Sequence, residues 1–248
     1  YSALGTNTTG TSNNAVGTNA LGTNTTGTSN TAIGDAALYA NTTASYNTAV
    51  GRDALAVNTT GANNTAVGAN ALVANTTGAS NVAIGHNTLG LNVSGHYNVA
   101  MGQSALYRCT VSDNTAIGYN SQEETTTGAN NTSVGSNALK ANTTGFSNVA
   151  VGKSSMAANT TGYENVAIGY AALDANTTGV DNTAVGKSSL GSNTTASSNT
   201  AVGRSALFAS TTGANNTAVG KSALQANTTG GQNTALGTNT LTANTTGT

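Results

Sequence analysis

Glycine recurs at a fixed interval of seventeen residues along almost the whole chain. The series is Gly17, Gly34, Gly51, Gly68, Gly85, Gly102, Gly118, Gly135, Gly152, Gly169, Gly186, Gly203, Gly220 and Gly237, and the step from Gly102 to Gly118 is shorter by one residue. Such a period indicates a chain built by stacking one small unit, here N-T-A-V-G-x-x-A-L-x-A-N-T-T-G-x-x, and we call each copy a coil. We expect a single repeat array over residues 1–248, taken from a longer chain because neither end shows an atypical capping coil.

The unit predicts β-structure rather than a helical repeat. Helical repeat units take about 33 residues or more, and Asn, Thr and Gly are weak helix formers. In the segment 81–85 (N-V-A-I-G), β-branched residues alternate with a small one, as they do on a strand whose alternate side chains share a face. The expected fold class is therefore all-β, a parallel β-solenoid or β-roll of about 14 stacked 17-residue coils.

Two apolar rows are expected to form the core. The Val/Ile row, which directly precedes the recurring glycine, should point inward, and a second strand should carry the Leu row. The core prediction rests on Val50, Val67, Ile84, Ile168, Leu55, Leu72 and Leu173. Between the outer residues of the first strand lies the Ala row, which includes Ala83 and Ala167. Two interpretations of this row stay open: packing within a thin core, or a seam with another copy of the chain.

Glycine and asparagine are expected to hold the corners. The recurring glycine turns the chain where a bend needs positive φ or a close backbone approach, and the corner prediction covers Gly34, Gly51, Gly68, Gly85, Gly152 and Gly169. Stacked coils also place Asn over Asn, in ladders of the kind that support cross-β stacks. The first Asn row includes Asn47, Asn64, Asn81, Asn98, Asn148 and Asn165, and the second includes Asn41, Asn58, Asn75, Asn92, Asn142, Asn159 and Asn176.

Composition argues against several functional classes. Charged residues are 6% of the 248 and the net charge is −1, so the chain has no electrostatic footprint for nucleic acid. No apolar run approaches the ~20 residues that a membrane-spanning helix needs. His86 and His96 are best interpreted as surface residues, the carboxylates are scattered, and Cys109 has no neighbouring partner in the sequence. We therefore expect neither an enzyme nor a bound metal or cofactor.

Two surface rows have both a plain and a functional interpretation. Basic residues gather directly after the recurring glycine, at Arg52, His86, Lys153, Lys187, Arg204 and Lys221. They solvate the surface, or they contact acidic glycans or another partner. Aromatic residues gather near the opposite corner, at Tyr46, Tyr97, Phe146 and Tyr163. They reflect ordinary surface variation, or they stack on sugars.

The irregular coil at residues 107–124 breaks the pattern. One residue is missing, N-T-T-G is replaced by C-T-V-S, and the Leu position is occupied by glutamine. A core glutamine is costly unless it is paired, and such departures concentrate at functional or strained sites. The segment is therefore our candidate partner patch, although drift in a tolerant array also explains it. Its residues are Tyr107, Arg108, Gln122, Glu123 and Glu124.

The segments 81–85, 98–102 (N-V-A-M-G), 114–121 and 165–173 (N-V-A-I-G-Y-A-A-L) resemble the head repeat of trimeric autotransporter adhesins, written around S-V-A-I-G-x-x-S/A-x-A. The N-T-A-V-G…A-L…N-T-T-G form is also similar to repeats of phage tail-fibre-like proteins. The resemblance implies a left-handed parallel β-roll that trimerises side by side in a surface or virion fibre. The constant seventeen-residue unit and its N-T-T-G corner depart from the family pattern, so trimerisation is implied by the resemblance alone.

The leading hypothesis is a non-enzymatic structural fibre or adhesin shaft, a rigid rod outside the cell or on a virion. Its expected partners are further copies of itself and a surface glycan or protein receptor. Two alternatives stay open: a self-assembling extracellular filament joined end to end by uncapped coils, and an ice-binding solenoid. The latter would use the threonine rows Thr42, Thr59, Thr76 and Thr43, Thr60, Thr77, whose members are adjacent in sequence and so point opposite ways on a straight strand.

Overall fold

A computed structural model describes residues 2–248 of the chain. These residues form fourteen strands of three residues each and contain no helix. The strands are β1 (Asn14–Val16), β2 (Thr31–Ile33), β3 (Thr48–Val50), β4 (Thr65–Val67), β5 (Val82–Ile84), β6 (Val99–Met101), β7 (Thr115–Ile117), β8 (Thr132–Val134), β9 (Val149–Val151), β10 (Val166–Ile168), β11 (Thr183–Val185), β12 (Thr200–Val202), β13 (Thr217–Val219) and β14 (Thr234–Leu236). The predicted all-β parallel solenoid is confirmed.

The chain divides into two compact units, Tyr1–Thr126 with β1 to β7 and Thr127–Thr248 with β8 to β14. Within each unit, consecutive strands pair in parallel and place like residues opposite each other, as Ala49 lies opposite Ala66. Backbone hydrogen bonds continue this pairing beyond the short strands, since the N–H of Gly51 donates to the carbonyl of Ile33 at 2.8 Å. Every coil is therefore held in register by its neighbours within the same unit.

The strand face that points into the coil is the reverse of the predicted one. Ala49, Ala66, Ala83, Ala100, Ala116, Ala150 and Ala167 are fully buried. Val50, Val67 and Ile84 are only partly buried and Ile168 is 41% exposed, so their assignment to the core is wrong. The Ala row thus packs in the coil's own thin core, and the seam interpretation of it is wrong as well. The reason is space, because a leucine and two asparagines from the same coil already fill the interior.

The Leu row is buried as predicted, but no strand carries it. Leu55, Leu72 and Leu173 are fully buried and lie in a turn with φ of 51° to 52°. Left-handed backbone costs a non-glycine residue about 1–2 kcal/mol, whereas burying a leucine stabilises by about 1.5–3 kcal/mol. The Leu55 N–H donates to the carbonyl of Ala71 at 3.0 Å, and the Leu55 carbonyl accepts from the N–H of Asn58 at 3.2 Å. Burial and these bonds together offset the unfavourable backbone.

The recurring glycines lie at the corner that follows each strand. The six in the corner prediction have φ of 131° to 138°, the left-handed region that favours glycine. Space adds a second constraint, because a Cβ atom on Gly169 would lie 2.7 Å from the carbonyl carbon and oxygen of Gly186 in the next coil. Both the backbone angle and the stacking distance therefore require glycine at this corner.

Two substitutions on adjacent residues of β4 test which face is inside. Ala66→Val should lower the free energy of unfolding by about 1–3 kcal/mol, because the interior has no room for two further carbons. Val67→Ala should cost less than about 1 kcal/mol, since Val67 is only partly buried. Urea unfolding at a protein concentration low enough to keep the chains dissociated measures both. A larger loss from Val67→Ala than from Ala66→Val would contradict the assigned orientation.

Candidate functional site

The first Asn row forms a continuous hydrogen-bonded ladder inside each unit. The N–H of Asn64 donates to Oδ1 of Asn47 at 2.9 Å, and Asn64 Oδ1 in turn accepts from the N–H of Asn81 at 3.0 Å. The Asn64 side-chain amide donates to the carbonyl of Gly78 at 2.8 Å. All six members of the predicted ladder are fully buried. Their amides therefore satisfy buried backbone groups that water cannot reach.

The second Asn row runs alongside the first and meets it at a shared acceptor. Asn58 Nδ2 donates to Oδ1 of Asn41 at 3.1 Å and to the carbonyl of Gly61 at 2.9 Å. The same Gly61 carbonyl accepts from Asn47 Nδ2 at 2.9 Å. The N-T-T-G corner is thus fastened to both ladders through one oxygen. This use of the buried asparagines is structural.

The second Asn row is interrupted where Ser210 takes the place of an asparagine. The Ser210 hydroxyl donates to the carbonyl of Gly213 at 3.3 Å, but it is too short to reach the asparagine one coil earlier. Asn193 Oδ1 is buried and accepts no hydrogen bond in the part of the chain that the structure describes. Asn227 Nδ2 donates only to Gly230 instead of also reaching a preceding ladder oxygen.

Cys109 interrupts the same row in the first unit. The thiol is buried, donates to the carbonyl of Val111 at 3.5 Å and accepts from Asn114 Nδ2 at 3.7 Å. Burial raises the pKa of Cys109 from 9.0 to about 11, and the hydrogen bond that the sulfur accepts from Asn114 opposes that shift only in part. A protonated, inaccessible thiol is a poor nucleophile.

The missing residue of the irregular coil is an exposed threonine of the N-T-T-G corner. Asn98 Nδ2 donates to the carbonyl of Val111 at 2.8 Å, the bond that a corner glycine accepts in regular coils. The hydroxyl of Thr110 donates to the carbonyl of Thr126 at 3.1 Å, as the first corner threonine does elsewhere. The coil loses one surface residue and keeps these two bonds, although Cys109 interrupts the second Asn row in it.

The structure divides the candidate partner patch. Arg108 Nε and Glu124 Oε2 form an ion pair of 2.9 Å on the surface, and the backbone N–H of Arg108 donates to the carbonyl of Glu123 at 3.2 Å. Gln122 does not belong to this surface, because it is fully buried in the Leu row and its Nε2 donates to the carbonyl of Thr115 at 2.9 Å. The expected cost of a core glutamine is thus reduced by an internal bond. The partner role of the patch stays a prediction.

Three aromatics, of which two are exposed and one is half-buried, follow a rule that sequence reasoning missed. Each follows the Leu row and lies over a glycine at the same place in the preceding coil. A Cβ atom on that glycine would lie 2.7 to 3.0 Å from the ring. The pairs are Gly22 with Tyr39, Gly90 with Tyr107 and Gly191 with Phe208. The signal was present in the sequence as a glycine followed by an aromatic seventeen residues later.

The predicted aromatic corner contains one clear stacked pair. The rings of Phe146 and Tyr163 lie 4.7 Å apart between centroids and 6° from parallel, whereas His96 and Tyr97 are tilted by 43° at 6.0 Å. His96 Nδ1 accepts from the backbone N–H of Ala79 at 3.0 Å, so it is used within the solenoid. The aromatics therefore support neighbouring coils as well as meeting solvent.

The outward strand face is a repeated surface in each unit. It presents the Val/Ile row beside a row of threonine or valine, with side chains partly or well exposed along every strand. Exposed members of the Val/Ile row are Val16, Ile33, Met101, Ile117, Ile168, Val202 and Leu236. Contiguous exposed apolar surface of this kind marks interaction sites in soluble proteins.

The basic row lies directly beside this face, after the corner glycine. In the second unit it comprises Lys153, Lys187, Arg204 and Lys221, all exposed. Ion pairs in the first unit join Arg52 with Asp53 and Arg108 with Glu124. No residue of the second unit's basic row takes part in one.

Across residues 2–248 we find no pocket, and no group of three or more His, Cys, Asp or Glu side chains placed to hold a metal ion. Nor do these residues form a helix of the length and apolarity that crossing a bilayer takes. No protein-family model matches the chain, and comparison with curated proteins also gives no match.

The interrupted second Asn row generates a repair experiment. Ser210→Asn should raise the free energy of unfolding by about 1–3 kcal/mol, because it supplies a donor to Asn193 Oδ1 and an acceptor to Asn227 Nδ2. Asn176→Ser is the matched control and should lower stability by a similar amount, since Asn176 now makes both bonds. Thermal unfolding measures the two changes, and a Ser210→Asn variant no more stable than the parent chain refutes the ladder argument.

Cys109 generates a prediction about pH. Its pKa is raised in the folded chain, so above pH 9 the folded state binds more protons than the unfolded one, and stability falls as pH rises from about 9 to about 11. A shift from 9.0 to about 11 corresponds to a loss on the order of 3 kcal/mol. Cys109→Ala should flatten this part of the stability curve, measured by urea unfolding at several pH values. Identical slopes for the two proteins would argue against a buried thiol.

Proposed function

We propose that the chain is part of a non-enzymatic structural fibre or adhesin shaft, in which copies associate side by side through their outward strand faces. The observation that supports this most directly is the orientation of the strands. Alanines fill the inside, and the larger β-branched side chains of the Val/Ile row face out. A chain that leaves its better apolar surface outside gains free energy when a second copy covers it.

The repeat makes this association additive. Each coil offers one partly exposed Val, Ile, Met or Leu, and covering it stabilises by on the order of 1 kcal/mol. One coil would not hold two chains together, because association itself costs several kcal/mol. A row repeated over many coils offsets that cost, and a second identical chain presents a surface with the same repeat. The sequence resemblance to trimeric adhesin heads leads us to propose three copies, displayed outside a cell or on a virion.

The threonine rows favour the fibre over the ice-binding alternative. Hydroxyls of the first corner threonines are committed to the solenoid, as Thr59 Oγ1 donates to the carbonyl of Thr76 and Thr76 Oγ1 to that of Val93, both at 3.1 Å. Only the neighbouring row, with Thr60 and Thr77, is exposed. The corners therefore offer a single row of free threonines rather than a two-row grid.

The test is the mass of the full chain in solution. Analytical ultracentrifugation should give three times the chain mass for the parent protein. Ile33→Lys, Ile117→Lys, Ile168→Lys and Val202→Lys combined should give a folded monomer, because each places a charge on the outward strand face. Tyr39→Lys with Phe208→Lys is the control, since these residues are 45% and 40% exposed but lie outside that face.

Circular dichroism of every variant checks that the solenoid is folded. The control should keep the parent mass, which separates loss of the strand face from a general effect of added lysines. A parent protein that is folded and monomeric at all concentrations would overturn the proposed assembly.

A further inference from the structure

Charge is distributed unevenly between the two units. The first unit carries two cations, Arg52 and Arg108, against five carboxylates. The second carries five cations against three carboxylates, a net charge of +2 within a chain whose total is −1. Four of those five cations belong to the basic row. The positive charge of the second unit is therefore gathered along one line rather than spread over its surface.

The solenoid fixes the spacing of this line. The N–H of Ala171 donates to the carbonyl of Lys153, that of Ser188 to Tyr170, that of Ser205 to Lys187 and that of Ser222 to Arg204, at 2.9 to 3.0 Å. In each bond the donor directly follows one position of the basic row, and the acceptor is the position of the same row in the preceding coil. Successive positions thus lie one coil apart, about 4.8 Å. Lys187, Arg204 and Lys221 occupy three consecutive coils, and Lys153 lies two coils before Lys187.

The carboxylates of the second unit do not neutralise the row. Glu164 and Asp181 precede the first Asn row, at the other end of the strand from the corner glycine. Asp174 accepts a backbone hydrogen bond from Ala157 and lies past the Leu row. Among residues 2–248, one aromatic ring contacts a cation of the row: that of Tyr170, whose centroid lies 5.5 Å from Lys187 Nζ. Like charges held close together without counter-ions favour an anionic ligand that spans several of them.

Each cation of the row is followed by serine: Lys153-Ser154, Lys187-Ser188, Arg204-Ser205 and Lys221-Ser222, of which Ser222 is buried and the other three are half-buried. In the first unit the corresponding Arg52 is followed by Asp53, which pairs with it at 3.2 Å. A cation beside a hydroxyl combines a charge for an acidic group with a donor and acceptor for sugar hydroxyls. The row therefore offers a linear polymer cationic groups along its length, with the hydroxyls of Ser188 and Ser205 beside two of them.

We propose that the basic row of the second unit binds a linear acidic polysaccharide, lying along the stacked coils with its carboxylate or sulfate groups on Lys187, Arg204 and Lys221. Nucleic acid fits the row less well. Nucleic-acid-binding domains are strongly basic, whereas this unit has a net charge of +2. Base stacking also needs open aromatic faces, and Lys187 lies over one face of Tyr170. The proposal rests on the proposed function because an adhesin shaft meets surface glycans.

Fluorescence anisotropy on the full chain tests the proposal with three labelled probes of similar length: a heparin oligosaccharide, an oligogalacturonate and oligo(dT). The parent protein should bind at least one polysaccharide more tightly than oligo(dT), and its affinity should fall as salt rises. Tighter binding of heparin than of oligogalacturonate would show that the row binds sulfated polysaccharides. Tighter binding of oligogalacturonate would show that it binds polysaccharides whose acidic groups are uronates.

A triple variant, Lys187→Ala with Arg204→Ala and Lys221→Ala, should bind polysaccharide at least about tenfold more weakly. The salt dependence of binding should also fall, because three ionic contacts to sulfate or carboxylate groups are lost. Lys187→Arg with Lys221→Arg should keep the affinity. Arg52→Ala with Lys140→Ala, which removes a cation of the first unit and a cation of the second unit that is not in the row, should change it by less than about twofold. All substituted side chains but Lys140 are exposed, and circular dichroism checks the fold of each variant.

Unchanged binding by the triple variant would overturn the proposal, as would a parent protein that binds neither polysaccharide or prefers oligo(dT). The outcome is separable from that of the assembly proposal. Ultracentrifugation of the triple variant should give the parent mass, because the row borders the outward strand face without forming it. A monomeric parent that binds polysaccharide would refute the assembly and leave the basic row assigned.

Discussion

Hydrogen bonding by buried asparagine amides is the interaction on which the rest of the structure depends. A seventeen-residue coil that buries alanines and one leucine has little apolar surface with which to offset the entropy of ordering its backbone. Two asparagines per coil bond to the coils before and after and share the corner carbonyl, as Asn47 and Asn58 do at Gly61. The coil can stay thin because its interior is held by polar ladders, and satisfied amides in that interior cost little.

The thin interior explains what the sequence could and could not predict. The period gives the coil, the parallel stack, the glycine corners and the asparagine rows, because each follows from placing like residues over like. Which face of the strand points into the coil does not follow from the period. Alternation separates Ala83 from Val82 and Ile84 but does not say which side is inside, and choosing the larger residue gave the wrong answer. Variation was the better guide, since the Val/Ile row admits Met101 and Leu236 whereas the inward row stays small.

The backbone of the Leu row could not be predicted from local preference. Leucine rarely adopts positive φ, and no residue next to Leu55 or Leu173 signals that it does here. The preference is overridden by stacking, because a left-handed residue lets an alanine and the following leucine both point inward, as Ala54 and Leu55 do. The candidate site was harder still. The irregular coil is the one break in the period, yet Gln122 within it is an internally bonded core residue.

Regularity also changes what an uncommon residue means. In a globular domain a surface lysine has neighbours of every kind, and one position says little about function. In this array an equivalent surface position recurs in every coil. A preference for one residue type at that position is therefore repeated along the stack, and an excess of one charge is repeated with it. Tyr39 and Phe208 each lie over a glycine of the preceding coil, which shows that neighbouring coils constrain each other even at exposed positions. Arg52 in the first unit is balanced at once by Asp53, whereas Lys187, Arg204 and Lys221 have serine in that place. Solvation of the surface would be served equally well by alternating charges. A row of positive charges without neighbouring carboxylates over three consecutive coils is therefore better explained by an external anion.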